Sequence, residues 1–413
     1  MPAGFFTSSA VKDIPQTDRR SGCAACGLYK QCHSPKMEAA GEGSKSILII
    51  TEAPGANEDK RNKQLVGKVV QYLRKKLRKH DIDLDKDCRK INTINCRPPG
   101  DRKPTDIEIE CCRSRVWTEI ERMRPKTILL FGGSAMKSFL GHRWKKDLGG
   151  IGKWRGWAIP DRDTNAWVFP MFHPSYIERS SDNPAVEKIF DMDLEQFAQS
   201  YRNEFPAFAN EEDAVEILWS ERELYQRLQM LCEFPQEIAI DFETTGLKPH
   251  APGHRIVTCA FAFREDKAIA FPMPSGRTLE MLKKVFADKK IAKVGQNIQF
   301  ENNWATVTLN TEIQGWVWDT MLMSHVLDNR QYITGLKFQA YINFGRVDYD
   351  SHLEEFIQTA PKKKTEGANA FNLIDRAPLG EVLLYNGLDV IFTKMLKQKQ
   401  HKHMQIQRNF IRR

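Results

Sequence analysis

The sequence predicts two α/β domains in tandem, the first on a mostly parallel sheet and the second on a mixed one. Three observations carry this. The chain has 413 residues, too many for one ordinary domain. In the first 200 residues, short apolar strands alternate with helical stretches, the order that gives a parallel sheet covered on both faces. In the second half, three strands follow one another before any long helix, which is an antiparallel start. A stretch rich in Pro and acids near 200–215 separates the halves. The reading is therefore a flexible N-terminus over 1–22, a first domain over 23–200, a linker over 201–213 and a second domain over 214–413.

Composition narrows the function. The formal net charge of +9 is uneven: residues 1–200 hold 35 Lys and Arg against 26 Asp and Glu, while residues 201–413 hold 27 of each. A basic half joined to a neutral half points to a polyanionic partner, most simply DNA or RNA. There is no apolar run of 18 residues, so no membrane span is expected. Met1-Pro2-Ala3-Gly4-Phe5-Phe6 lacks the basic and apolar regions of a secretory signal. These absences predict a cytoplasmic protein. Seven of the nine cysteines precede residue 113; in a cytosolic chain that clustering reads as metal or cluster ligation.

Taken in order, the first half opens with Cys23-Ala24-Ala25-Cys26, two thiolates that one tight turn can aim at one centre, with Cys32 close behind. Residues 46–51 read as a buried strand running into Glu52-Ala53-Pro54-Gly55-Ala56-Asn57-Glu58-Asp59. A helix from Gly67 to Lys79 is strongly basic and offers charge to phosphates. Ile91–Asn95 reads as the second strand, followed by a helix holding Cys111 and Cys112 that runs to about Arg124. Thr127–Phe131 and Trp167–Met171 are the third and fourth strands. Glu52, Asn92 and His173 sit near strand carboxyl ends, where such sheets bind ligands.

Those pieces resemble the family 4, iron–sulfur uracil-DNA glycosylases over residues 23–200. The match runs through Glu52-Ala53-Pro54-Gly55 with Glu58-Asp59, Asn92 before Cys96-Arg97-Pro98-Pro99, Trp154-Arg155-Gly156, His173-Pro174-Ser175, Asn183-Pro184 to Lys188, and Asp193-Leu194. The resemblance implies a 4Fe-4S cluster on Cys23, Cys26, Cys96 and Cys112, with Cys111 as the rival fourth ligand. Cys32, Cys88, Cys232 and Cys259 read as ordinary cysteines. It further implies that a flipped base enters a pocket. There Asn92 pairs with the uracil edge, His173 stabilises charge on the departing base, and Glu52 or Glu58 orients water. Two positions depart from the family. Thr51 stands where a Gly is usual, and Leu65 stands where an aromatic residue stacks on the base.

The second half is organised around Asp241 and Glu243, which a strand period of two puts on one face, with Ile240 and Phe242 on the other. Side by side they repel, and a divalent, oxygen-loving cation resolves the repulsion. Strands over 256–263 and 268–271 follow, then Asn297 through Glu301, Asp319-Thr320-Met321-Leu322, Thr334-Gly335-Leu336-Lys337, and a helix with Tyr385 and Asp389 on one face. The set resembles the proofreading 3′–5′ exonuclease domain of DNA polymerase I, in the DEDD-Tyr group of the ribonuclease H-like fold. It implies two Mg²⁺ or Mn²⁺ ions held by Asp241, Glu243 and Asp389, with Tyr385 orienting water. Asn297 and Glu301 form the second motif, in which Glu301 replaces the family's Asp.

Together the halves predict a DNA-processing protein of bacteriophage replication that acts on single-stranded DNA and primer–template 3′ ends. It works with a polymerase supplied as a separate chain or as a continuation of this one. The alternative makes the first half a non-catalytic DNA-binding or processivity module.

Overall fold

Ile47–Thr51 (β1) is β-branched and wholly buried, the composition of a strand covered on both faces. It pairs in parallel with Cys88–Asn92 (β2) and Thr127–Phe131 (β3). Ala166–Met171 (β5) joins β3 in parallel, and Ile159–Asp161 (β4) closes the edge antiparallel to β5. The order is β2-β1-β3-β5-β4. The computed structural model describes residues 22–144, 146–347, 349–357 and 369–411; the stretch read as a flexible N-terminus lies outside them up to residue 21. Among the described residues the chain divides into two units, Met1–Pro206 with Tyr341–Val347, and Ala207–Ala340 with Asp348–Arg413.

Helices of the first unit are α1 (Cys23–Cys26), α2 (Ala56–Arg61), α3 (Lys68–Arg78), α4 (Asp106–Met123), α5 (Gly133–Leu140), α6 (Ile151–Trp154), α7 (Pro174–Arg179) and α8 (Pro184–Ser200). α4 starts where Thr105 and Glu108 form a reciprocal capping box. β2 lies three residues earlier than its apolar appearance suggests, because a charged residue is inside it. Lys90 is 1% exposed and pairs with Asp85, while Arg89 pairs with Glu119. The basic helix α3 is partly spent internally. Lys76 is buried against Glu187 and Asp191, at 2.8 and 2.6 Å, and Arg74 holds Asp85. Lys75, Arg78 and Lys79 stay exposed.

The second sheet runs β11-β10-β7-β8-β9-β6. Its strands are β6 (Val215–Ile217), β7 (Ile238–Thr244), β8 (Ile256–Arg264), β9 (Lys267–Pro272), β10 (Lys293–Gly295) and β11 (Trp316–Asp319). β7, β8 and β9 are antiparallel, as the sequence predicts, and β6, β10 and β11 add parallel edges. Its helices are α9 (Glu221–Glu233), α10 (Gly276–Ala287), α11 (Ile298–Leu309), α12 (Thr320–Leu327), α13 (Leu336–Phe344, of which Tyr341–Phe344 count with the first unit), α14 (Glu354–Ile357) and α15 (Leu379–Ile411). Alternation splits this sheet into unlike faces. One carries Ile238, Ile240, Phe242, Phe261 and Phe271, packed against Leu224, Leu228 and Phe286. The other carries Ala239, Ala260, Ala262, Ala268 and Ala270, and receives Leu383, Val390 and Ile391 of α15. Each large apolar side chain buried contributes about 1.5–3 kcal/mol, so the first face supplies most of the cohesion. The alanines bring α15 close.

Close approach is tightest at Gly387. A Cβ there would lie under 3.0 Å from Val215 Cγ1 and Cγ2 on β6. Gly387→Ala should therefore destabilise the second domain by about 1–3 kcal/mol through overpacking, despite alanine's better helix propensity. Val215→Ala in the same chain should restore most of the loss. Urea unfolding of the two single variants and the double variant measures the coupling.

Candidate functional site

At the carboxyl ends of β1 and β2 lies a cavity of about 530 Å³, lined by Thr51, Glu52, Glu58, Leu65, Asn92 and His173 among others. Thr51 and Asn92 are paired in register across the two strands, and the Thr51 hydroxyl donates to Asn92 Oδ1. Asn92 is 1% exposed, and its Nδ2 has no hydrogen-bond partner among the described residues.

His173 caps α7. Its Nδ1 accepts from the Ser175 backbone N–H at 3.2 Å and lies 2.5 Å from Ser175 Oγ. An accepting Nδ1 leaves the proton of a neutral ring on Nε2. Burial pushes the His173 pKa down to about 4, against the opposing pull of Glu52, so the ring is neutral at physiological pH. Gly132, at φ +89°, turns the chain beside the His173 Cβ.

The two candidate acids have different surroundings. Glu58 accepts the Gly55 N–H at 2.7 Å and the backbone N–H groups of Leu65 and Val66. Those bonds make it the tie that holds the loop. Among the described residues Glu52 takes a single side-chain hydrogen bond, from Ser134 Oγ at 3.0 Å, and it faces His173. Leu65 is buried at φ +52°, a conformation uncommon for a non-glycine residue. The carboxylate of Glu58 on its N–H helps to hold it there.

The predicted cluster cysteines come together beside this cavity. Cys96 and Cys112 share an apolar cluster with Leu28, Ile94 and Ile109, against which Cys26 and Cys32 pack. Cys23 lies close enough to act electrostatically on Cys96 and Cys112. Backbone N–H groups of Leu28, Lys36 and Asn95 donate to the sulfurs of Cys26, Cys96 and Cys112. Burial pushes the Cys112 thiol up to about 12 and raises Cys26 and Cys96 as well. Buried and half-buried sulfurs that take backbone N–H donors fit thiolate ligands of a cationic cluster. Cys111 is also a neighbour of Cys26. Cys32, expected to be ordinary, is a direct neighbour of Cys96.

In the second unit, Asp241, Glu243 and Asp389 place ligand oxygens within 4.8 Å of one another. Alternation along β7 points both of its acids to the alanine face, and α15 brings Asp389 and Tyr385 down onto that face. Burial, then the neighbouring carboxylates, holds Asp241 and Glu243 well above the usual range. Glu301, from the first turn of α11, is 2% exposed; its Oε2 has no partner among the described residues, and burial with Asp241 beside it raises its pKa too. Crowded acids and an orphaned buried oxygen fit divalent cations. Asn297 caps α11 at φ +70°.

Four residues here escaped the sequence reading of roles. Lys337 Nζ donates to Asp389 Oδ1 at 2.5 Å and lies 3.7 and 4.1 Å from the ring centroids of Tyr349 and Tyr385. The Tyr349 hydroxyl donates to the same Oδ1 at 2.5 Å. Asn386 Nδ2 donates to Asp241 Oδ2 at 2.6 Å and accepts at Oδ1 from Thr258. The Asp319 carboxylate accepts backbone N–H groups of Asn297, Ile298, Met321 and Leu322, all at 2.9–3.1 Å. Lys337, Asn386 and Asp319 lie inside the motifs singled out above; Tyr349 carried no signal.

Residues 39–195 match the family model of the uracil DNA glycosylase superfamily, and residues 215–405 that of the 3′-5′ exonuclease. The type-4 uracil-DNA glycosylase of Thermotoga maritima is 30% identical over 194 residues, which cover 46% of this chain and 95% of that protein. The chain belongs to the uracil DNA glycosylase superfamily. To this glycosylase-superfamily domain it joins a 3′–5′ exonuclease domain. The DNA polymerase of Bacillus phage SP01 is 25% identical over 401 residues, which cover 89% of this chain and 41% of the polymerase. This chain thus spans less than half the length of that relative. Among solved structures, the Aedes aegypti Nibbler EXO domain covers 48% of this chain and 94% of its own, at 17% identity and TM-score 0.36.

Two outcomes test the electrostatics. Lys337→Met leaves the carboxylates without their counter-charge, so melting in chelator should fall by roughly 5 °C or more. Added Mg²⁺ should then raise it further than in the wild type. Calorimetry with EDTA and with Mg²⁺ makes the comparison. His173, whose folded pKa of about 4 lies below the ordinary 6.5, stabilises the first domain above pH 6.5. Its contribution is lost as pH falls towards 4, because the unfolded chain takes up the proton first. Chemical unfolding at pH 7 and pH 5 should show a smaller loss for His173→Leu than for the wild type.

Proposed function

We propose that the chain is a DNA-processing enzyme of replication that removes nucleotides from DNA 3′ ends and binds, and excises, uracil. The observation that carries the nuclease reading is the set Asp241, Glu243 and Asp389, one buried and two half-buried acids with oxygens within 4.8 Å of one another. Mg²⁺ or Mn²⁺ ions held there would supply Lewis-acid activation of water and neutralise the leaving 3′ oxygen. The residues of the chain do the positioning. Asn386 and Thr258 orient Asp241, while Lys337 and Tyr349 fix one oxygen of Asp389 and leave the other unclaimed by them. Tyr385, buried beside Asp389 and Glu243 with its pKa pushed up by that burial, remains a phenol and can donate a hydrogen bond to the attacking water. Glu301 adds a charge near Asp241, and Asn297 contacts the terminal nucleotide.

For the first domain, the cavity with a donor amide, a neutral imidazole and an acid supports base excision. Asn92 reads the base edge, and the Nε2 proton of His173 meets charge on the departing base. Glu52 suits the water-orienting role better than Glu58, whose acceptor capacity holds its own loop. The cysteine set supports a 4Fe-4S cluster on Cys23, Cys26, Cys96 and Cys112. Partners are DNA and a polymerase, separate or covalent, in the cytoplasm of a bacterial host. No helix among the described residues is long and apolar enough to cross a membrane.

Asp241→Ala should abolish metal-dependent 3′–5′ degradation of single-stranded DNA while leaving uracil release in chelator unchanged. Gel assays of both activities on one labelled strand test this; degradation that survives in Asp241→Ala would move the nuclease site elsewhere. Leu65→Phe should raise uracil release about 10- to 100-fold, since a stacked aromatic is worth roughly 1–3 kcal/mol. Absence of uracil release from both the wild type and Leu65→Phe would favour a DNA-gripping role for the first domain.

A further inference from the structure

We infer that Asp59 is a positioning residue for the iron–sulfur cluster: its carboxylate braces the loop 33–37, whose Lys36 N–H bonds to the sulfur of Cys96. The inference rests on the cluster reading of the cysteines and adds a residue that is not a ligand.

Glu58 and Asp59 are consecutive on α2, so their side chains leave the helix about 100° apart. Glu58 serves the cavity loop, where it takes the N–H groups of Gly55, Leu65 and Val66. Asp59 serves the loop after Cys32, and it is 4% exposed. Its Oδ2 accepts the His33 N–H at 3.1 Å and its Oδ1 the Ser34 N–H at 2.7 Å. The Ser34 hydroxyl donates to the Asp59 carbonyl at 2.5 Å. Two residues beyond Ser34, the Lys36 N–H donates to Cys96 Sγ at 3.2 Å. Lys36 stands at φ +57°, a conformation that a residue with a Cβ seldom adopts without outside support. Pro35 before it has no N–H with which to anchor the turn. Support comes from both sides. Asp59 takes the two N–H groups before Pro35. After it, Arg115 holds the Lys36 carbonyl and the Asn95 carbonyl takes the Met37 N–H at 2.7 Å. Without the first hold the Lys36 peptide can turn, and its N–H leaves the sulfur. An N–H on a ligating sulfur draws charge from a cluster, which raises its reduction potential and steadies the thiolate.

The test uses the full-length protein purified with its cluster. Visible absorbance in EDTA and ferricyanide gives the rate of cluster loss, and voltammetry gives the reduction potential. Asp59→Asn keeps the size but replaces one acceptor with an NH₂ that meets an N–H. It should lose the cluster about tenfold faster than the wild type, the scale for an outer partner of a metal ligand. Its potential should move to a more negative value. Ser34→Ala removes only the hydroxyl bond and should move both readouts the same way by less. Lys76→Met breaks ion pairs to Glu187 and Asp191, none of them in the loop; it should destabilise the first domain and leave the potential unchanged. A wild-type rate and potential in Asp59→Asn, or an equal shift in Lys76→Met, overturns the brace alone. Where Asp59→Asn takes up no cluster, Ser34→Ala decides, and a wild-type rate there overturns the brace. A wild type without a cluster overturns the cluster reading beneath it.

Discussion

The seating of one long helix on a face of alanines governs the second domain. A sheet that presents large side chains on both sides would hold α15 at a distance, and Asp389 would then sit too far from Asp241 and Glu243 to share an ion. Because Ala239, Ala260, Ala262, Ala268 and Ala270 all point one way, the helix backbone comes down to the strands, and Gly387 removes the last obstacle. The same strand period that selects the small face places the two acids of β7 on it. Packing and chemistry are therefore set by one pattern.

Close seating of like charges has a cost, and the fold meets it with single cations and neutral donors. Lys337 is the nearest positive group to Asp389, and Asn386 and Tyr349 supply uncharged donors around the same centre. Glu301 is left with a buried oxygen that nothing described satisfies. The first domain shows a related economy. Three backbone N–H groups converge on Glu58, three sulfurs, two of them buried, each take one N–H, and the buried imidazole of His173 is held neutral. In each place a group stays in the protonation or bonding state its surroundings impose.

Much of this was legible in the sequence, for identifiable reasons. Strict alternation in Ile240-Asp241-Phe242-Glu243 gives the face of each acid, and helical spacing joins Tyr385 to Asp389. β1 and β3 declare themselves by unbroken β-branched and apolar content. β4, with Pro160 on an edge, and β6, three residues just past the stretch read as linker, lack enough length to register. β2 was displaced because a buried lysine looks like a surface residue until its partner Asp85 is known. Lys337 lay inside a noted segment, but its role depends on a contact 52 residues away. Tyr349 offered nothing local at all, since only tertiary packing brings its hydroxyl to Asp389.

The Asp319 carboxylate bears on how this site could be transplanted or could diverge. One side chain receives backbone N–H groups from the starts of α11 and α12, and Thr320 reaches back to Gly295 and Gln296. The two helices are thus riveted at their tips, so the segment from Gly295 to Leu322 behaves as one cassette. A chimaera that exchanged α11 without α12 would split the rivet and misaim Glu301, though every acidic residue remained in its place in the sequence.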